Sequence, residues 1–234
     1  ADEYGEPPGP TDAAIPIPDP APCGKTPLTA RNLTKTYGSL EVFAGVDLNI
    51  DRGSQVVVLG LNGAGKTTLL RILAGKETPD TGEVIAGHGL KLGYFAQEHD
   101  LLDMDRTVLE NMASSATDLN ETEMRKILGS FLFTGDDVHK PAGVLSGGEK
   151  TRLALATLVV SSANVLLLDE PTNNLDPASR AQVLDAIGNF GGAIVLVTHD
   201  EGAVHALDPD RVLVLPDGTE DMWSADYAEL ISLA

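Results

Sequence analysis

The sequence predicts an α/β protein built on a parallel sheet, and three observations carry that prediction. Gln55-Val-Val-Val-Leu59 is a short apolar, β-branched run that reads as a buried strand. Gly60-Leu-Asn-Gly-Ala-Gly-Lys-Thr67 follows directly and fits the G-x-x-x-x-G-K-[ST] phosphate-binding pattern without a mismatch. Thr68-Leu-Leu-Arg-Ile-Leu-Ala74 then shows helical spacing and stops at Gly75, so the motif has the strand–loop–helix setting it needs.

The remaining elements follow in chain order. Residues 1–27 carry eight prolines and few large apolar side chains, which predicts an extended, mostly solvated linker, part of which can lie against the domain. Leu28 to about Ile50 alternates in short strands, with Leu33, Val42, Phe43, Val46, Leu48 and Ile50 available for one core; this reads as an antiparallel lobe. About 100–160 is mainly helical. Parallel strands are expected near 55–59, 164–168 and 193–198. The tail has a strand at Arg211–Leu215, a turn at Pro216-Asp217-Gly218, a strand to Trp223 and a short final helix, and no internal repeat is visible.

The chemistry of the loop is specific. Gly60, Gly63 and Gly65 allow a tight turn that exposes backbone N–H groups to a phosphate chain. The helix N-terminus adds unpaired N–H groups and its positive dipole end. Lys66 supplies a mobile charge for the β- and γ-phosphates, and Thr67 a hydroxyl for Mg²⁺. About a hundred residues on, Asn164-Val-Leu-Leu-Leu-Asp169-Glu170 is an apolar strand ending in two carboxylates. Asp169 can reach the Mg²⁺ shell, and Glu170 can orient or deprotonate an attacking water. The bland alternatives are a glycine-rich turn and an acidic turn.

Between these segments lies Leu145-Ser-Gly-Gly-Glu-Lys150, opening an apolar helix from Thr151 to Val160. It resembles the signature of ABC ATPases, and the other family motifs appear in family order between about Leu28 and Ala234. The resemblance implies an ABC-type P-loop NTPase domain: a RecA-like parallel core, an antiparallel β lobe and an α-helical subdomain at about 100–160, all within 28–234. It implies that Tyr37 stacks on adenine and that the loop from Gly60 through Asn62, Gly63, Ala64, Gly65, Lys66, Thr67 and Thr68 wraps the phosphates of ATP. It implies Mg²⁺ held by Thr67 and Asp169, with Gln97 linking the metal and the water to the helical subdomain. Glu170 would be the catalytic carboxylate, and His199 in Val-Thr-His-Asp would sense the γ-phosphate from the end of the apolar strand Ala193–Val197. In this family two domains sandwich two ATPs head to tail. Ser146, Gly147, Gly148 and Asp176 would therefore face the partner's site, the partner being a second domain of the same parent chain or a second copy. His88, His99, His139 and His205 lack such a setting and read as surface or packing residues.

A sharper resemblance is to the ABC-F branch, cytosolic proteins with two ATPase domains and no membrane domain, many of which act on the ribosome. Glu170-Pro-Thr-Asn-Asn-Leu-Asp176 resembles the Glu-Pro-Thr-Asn-His-Leu-Asp of that branch, with Asn174 in place of His. Phe131-Leu-Phe with Asp136-Asp-Val and Lys140 is similar to its helical subdomain. Trp223-Ser-Ala-Asp-Tyr227 resembles its closing Gly-Asn-Tyr, with Ala225-Asp226 in place of Gly-Asn. The match is to one domain, most like the second of the pair, so a fragment of a longer protein is expected.

Composition limits the partners. A length of 234 residues suits one domain, with lobes. No run approaches about 18 apolar residues, so no membrane insertion is expected. Cys23 is alone, which excludes a disulfide within the chain and makes the cytoplasm the natural compartment. A formal net charge of −19 opposes unspecific attraction to RNA or anionic lipid. Two functions stay open: a ribosome-associated ATPase, a translation factor or one that displaces a bound antibiotic, and the motor of a membrane transporter. A transporter motor needs a groove near Gln97 to receive a coupling helix.

Overall fold

The computed structural model describes residues 17–96, 100–116 and 118–233. β1 (Leu28–Tyr37) and β2 (Leu40–Ile50) form an antiparallel hairpin across Gly38-Ser39. Its inner face buries Leu33, Val42, Phe43, Val46, Leu48 and Ile50, as expected from the alternation. β3 (Gln55–Leu59) runs into the phosphate loop and α1 (Lys66–Leu73). β4 (Thr81–Ala86) then returns to pair with β1, completing a three-stranded sheet of order β2-β1-β4. The sequence ended this lobe near Ile50. β4 was illegible because its residues are exposed or half-exposed and show no apolar alternation.

β5 (Leu92–Phe95) leads into the helical region, made of α2 (Val108–Ser115), α3 (Glu121–Ser130), 3-10 turns at Gly135–His139 and Ala142–Val144, and α4 (Gly147–Val160). The chain continues through β6 (Val165–Asp169), α5 (Pro177–Asn189), β7 (Ala193–Val197) and α6 (Glu201–Leu207). It ends in β8 (Arg211–Val214), β9 (Thr219–Met222) and α7 (Ala228–Ser232). The six-stranded sheet has the order β5-β6-β7-β3-β8-β9, parallel except for β9.

The central strands are buried on both faces, and side-chain alternation divides them between two cores. Val57, Leu59, Leu166, Leu168, Ile194 and Leu196 meet α2–α6. Val56, Val58, Val165, Leu167, Val195 and Val197 meet α1 and the antiparallel lobe. This sandwich fixes the carboxyl ends of β3, β7 and β6 side by side, the crevice where parallel α/β sheets collect ligands.

The described part of the segment expected as a mostly solvated linker, 17–27, is the part that lies against the fold. Ala21 N–H donates to Ser162 O (2.8 Å), Asn164 Nδ2 to Ala21 O (3.0 Å) and Gly24 N–H to His88 O (2.9 Å). The backbone groups between the prolines find partners on strand-end loops, which holds the segment down. No helix among the described residues is long and apolar enough to cross a membrane.

Candidate nucleotide-binding site

The phosphate loop turns on glycines that no other residue can replace in this packing. Gly60 has φ 154°, and a Cβ there would lie 2.6 Å from Leu215 O. Gly65, the N-cap of α1, has φ 91°, and a Cβ would lie 2.4 Å from Val42 Cγ1. The loop is therefore clamped between the parallel sheet and the antiparallel lobe. Lys66 is only 8% exposed, and its Nζ donates to Gly60 O at 2.7 Å. Burial lowers the ammonium below its ordinary value, while Glu170 and Asp169 pull it back up.

Asp169 ends β6 and is buried. Burial raises its carboxyl above the usual range; a hydrogen bond from Thr67 pulls it down, Glu170 pushes it up and Lys66 pulls it down. A hydroxyl and a poorly solvated carboxylate, bonded to each other at a phosphate loop, form a hard oxygen donor pair that fits Mg²⁺. Glu170 leaves the strand with φ 49°, a left-handed conformation rare outside glycine, and its N–H donates to Val197 O at 2.8 Å. Its carboxylate then meets the end of the next strand. His199 Nδ1 lies 2.9 Å from Glu170 Oε1, and His199 N–H donates to Oε2 at 3.4 Å. A cavity of about 440 Å³ is lined by Asn62, Gly63, Gly65–Thr68, Asp169 and Glu170, with Leu40, Val42 and Val197 as its apolar side.

Other predicted residues stand apart. Tyr37 is 48% exposed at the hairpin tip, and its cross-strand neighbour Leu40 lines the cavity in its place. Ala64 is buried beneath the loop. Gly147 lines a separate cavity of about 140 Å³ with Glu170, Pro171, Asn173 and Asn174. Ser146 is the N-cap of α4 in a full capping box with Glu149. Its Oγ accepts from Glu149 N–H at 3.2 Å, and its O–H can still donate elsewhere. Gly148 packs α4 against α5: a Cβ there would lie 2.6 Å from Asp176 Oδ1, and Asp176 is itself the N-cap of α5. Gln97 and His99 lie outside the described residues; His88, His139 and His205 are exposed.

Sequence reasoning missed a clamp behind the Glu170–His199 pair. Arg180 Nε and Nη2 donate to Asp200 Oδ2 and Oδ1 at 2.9 and 2.8 Å, and Thr172 Oγ1 donates to Oδ2 at 2.8 Å. Asp200 also caps α6 through Gly202 N–H. The hydrogen bonds from Arg180 hold its carboxyl at about 2 against the opposing effect of burial. The His-Asp pair at 199–200 was visible in the sequence, but Arg180 had no local signal.

A parallel sheet that presents a phosphate loop after β3, a histidine after the adjacent β7 and a carboxylate paired with it after β6 is the core of a nucleoside-triphosphatase. The chain belongs to the ABC transporter family, whose model matches residues 43–173. It is therefore an ABC-type ATPase domain. It is 35% identical over 215 residues to ABC transporter F family member 5 of Arabidopsis thaliana, covering 91% of this chain and 31% of that protein. It is 40% identical over 188 residues to the probable ATP-binding protein YheS of Escherichia coli K12, covering 80% of this chain and 30% of that protein. The chain thus spans about a third of the length of the curated relatives it matches. A dimeric ATP-binding cassette in a post-hydrolysis state with ADP and Pi superposes with a TM-score of 0.69 at 26% identity, covering 85% of this chain and 99% of that one.

Proposed function

We propose that the chain is one ATPase domain of an ABC-F protein, binding Mg·ATP and coupling head-to-tail closure to action on the ribosome. The convergence of the phosphate loop, Asp169 and Glu170 on one cavity carries the ATP reading. The loop residues Gly60–Thr68 bind the phosphates, Lys66 neutralises the β- and γ-oxygens, and Tyr37 stacks on the base. Mg²⁺, when bound by Thr67 and Asp169, would neutralise charge between the β- and γ-phosphates. Glu170, oriented by His199, takes a proton from water as its oxygen bonds to the γ-phosphorus. The bond to the bridging oxygen breaks, ADP leaves, and the proton passes to phosphate. Gln97 couples this site to the helical subdomain. Ser146, Gly147, Gly148 and Asp176 act on the nucleotide of the paired domain; the separation of Gly147 from the phosphate-loop cavity supports that reading.

The branch assignment rests on the relatives in the F family and on Glu170-Pro-Thr-Asn-Asn-Leu-Asp176. A cytoplasmic site of action agrees with it. One observation favours the second reading, a transporter motor. A groove of about 700 Å³ beside the helical subdomain, lined by Arg71, Tyr94, Ala96, Asp100, Leu101 and Leu158, could seat a coupling helix. Co-sedimentation of the full-length parent, with the carboxylate matching Glu170 changed to glutamine in each domain, separates the two. Recovery with ribosomes in ATP supports the first reading, and recovery with membranes overturns it.

A further inference from the structure

Tyr37 sits at the tip of an exposed two-residue hairpin, with Gly38 at φ 62° beside it. An aromatic ring there needs an anchor before it can present one orientation to a base. The anchor is Lys35. Its side chain is only 11% exposed, and its Nζ lies 5.2 Å from the centre of the Tyr37 ring, within cation–π range. The ammonium is itself pinned from below. It donates to Thr78 O at 2.8 Å, pairs with Glu77 Oε1 at 2.9 Å and lies 3.6 Å from Asp80 Oδ1. Asp80 Oδ2 accepts from both the N–H and the hydroxyl of Thr36 at 2.7 Å, and Asp80 N–H donates to Thr34 O at 2.8 Å. The hydrogen bonds from Thr36 hold the Asp80 carboxyl below the usual carboxylate range, so it is charged at neutral pH.

Two strand residues on either side of Lys35 are thus tied to one loop, 77–80. That loop directly follows α1, whose first turn is the phosphate site. The hairpin tip that carries Tyr37 and the helix that starts at the phosphate loop are therefore connected through Lys35, a side chain that does not line the phosphate-loop cavity. A surface ion pair alone contributes little to stability and gives no reason for a lysine to lie half-buried against an aromatic ring.

We propose that Lys35, fixed by Glu77 and Asp80, is a positioning residue that orients Tyr37 for the adenine ring, setting affinity for the base without touching the phosphates. This rests on the reading of Tyr37 as the base-stacking residue. Lysine uses one face of the ring and leaves the opposite face for the purine. Loss of the ammonium frees the ring to rotate at the hairpin tip, and ordering it again on binding costs affinity.

Calorimetric titration of the 234-residue chain with Mg·ATP and with Mg·tripolyphosphate, which has no base, tests this. Tyr37→Ala is expected to weaken ATP about tenfold and leave tripolyphosphate unchanged. Lys35→Met should weaken ATP about three- to fivefold with tripolyphosphate unchanged, and Lys35→Arg should restore most of it. Lys35→Met combined with Tyr37→Ala should be no worse than Tyr37→Ala alone, because both remove one interaction. If Tyr37→Ala leaves ATP affinity intact, the base-stacking reading itself fails. If Tyr37→Ala weakens ATP and Lys35→Met does not, the positioning role is overturned and the stacking reading stands. Equal losses for ATP and tripolyphosphate in Lys35→Met also overturn it, since that pattern marks damage to the fold or the phosphate loop.

Discussion

At the scale of single residues, the site is a set of charges held against their preference. Lys66 and Asp169 are both buried, and burial disfavours the charged form of each; their attraction and the Thr67 hydroxyl offset part of that cost. Such a pair gains most when phosphate and a divalent cation arrive, because each then meets the opposite charge. Lys66→Ala should therefore remove most ATP affinity, by about a hundredfold or more, read by calorimetry. Glu170 has a different role. It borders both the phosphate-loop cavity and the one that holds Gly147, and it bonds His199. Glu170→Gln keeps the shape and removes the basic carboxylate. ATP binding should stay within about threefold while turnover drops at least a hundredfold. A turnover number equal to that of wild type would remove Glu170 from the mechanism.

At the scale of elements, the helix starts separate structural duty from the work on a partner proposed above. Gly147 and Gly148 are adjacent at the head of α4, yet their surroundings differ. Among the described residues a Cβ at Gly147 meets nothing within 4 Å, whereas one at Gly148 collides with Asp176 and Ser179 at the start of α5. Gly148→Ala should lower Tm by several degrees, since it pushes apart two helix starts. Gly147→Ala should leave Tm unchanged and still lower turnover at least tenfold, because the added methyl finds open space among the described residues and would meet the nucleotide of a paired domain. Thermal melts beside ATPase rates check both, and wild-type turnover in Gly147→Ala would argue against a shared site. The Arg180–Asp200–Thr172 clamp has a pH signature. Asp200 is held at about 2, so the clamp stabilises the fold above the ordinary carboxylate value near 4 and that contribution is lost as pH falls through about 2. Arg180→Ala should cost about 1–2 kcal/mol at neutral pH, and its deficit against wild type should shrink between pH 4 and 2 in thermal melts. Much of this scale was readable from the chain. The phosphate loop, β6 with its carboxylates and β7 with His199 announce themselves because long apolar runs end in polar residues of one chemistry. β4 and the Arg180 clamp do not. An edge strand with an exposed face carries no period, and a side chain that acts across the fold has no neighbour in sequence to mark it.

At the scale of the whole molecule, charge sets the conditions for pairing. Two copies closing head to tail bring together two bodies of formal net charge −19, before the charge of ATP is added. Long-range repulsion then opposes closure, while contacts between the start of α4 and nucleotide would favour it if the pair forms as proposed. Salt acts on these two terms unequally. The Debye length falls from about 10 Å at 0.1 M to about 3 Å at 1 M, so body-to-body repulsion is largely screened while close contacts at a desolvated phosphate persist. Under the proposed mechanism, Glu170→Gln removes one carboxylate from the cavity and blocks the hydrolysis that would reopen the pair. This variant in Mg·ATP should therefore dimerise, and its dimer should tighten severalfold between 0.1 and 0.5 M salt. An RNA contact has the opposite slope, because cations released from phosphate weaken binding as salt rises. Light scattering of the variant at the two salt concentrations, with and without ATP, reads the sign directly. A dimer that forms without ATP, or one that loosens with salt, would show that charge repulsion is not the barrier that nucleotide binding overcomes.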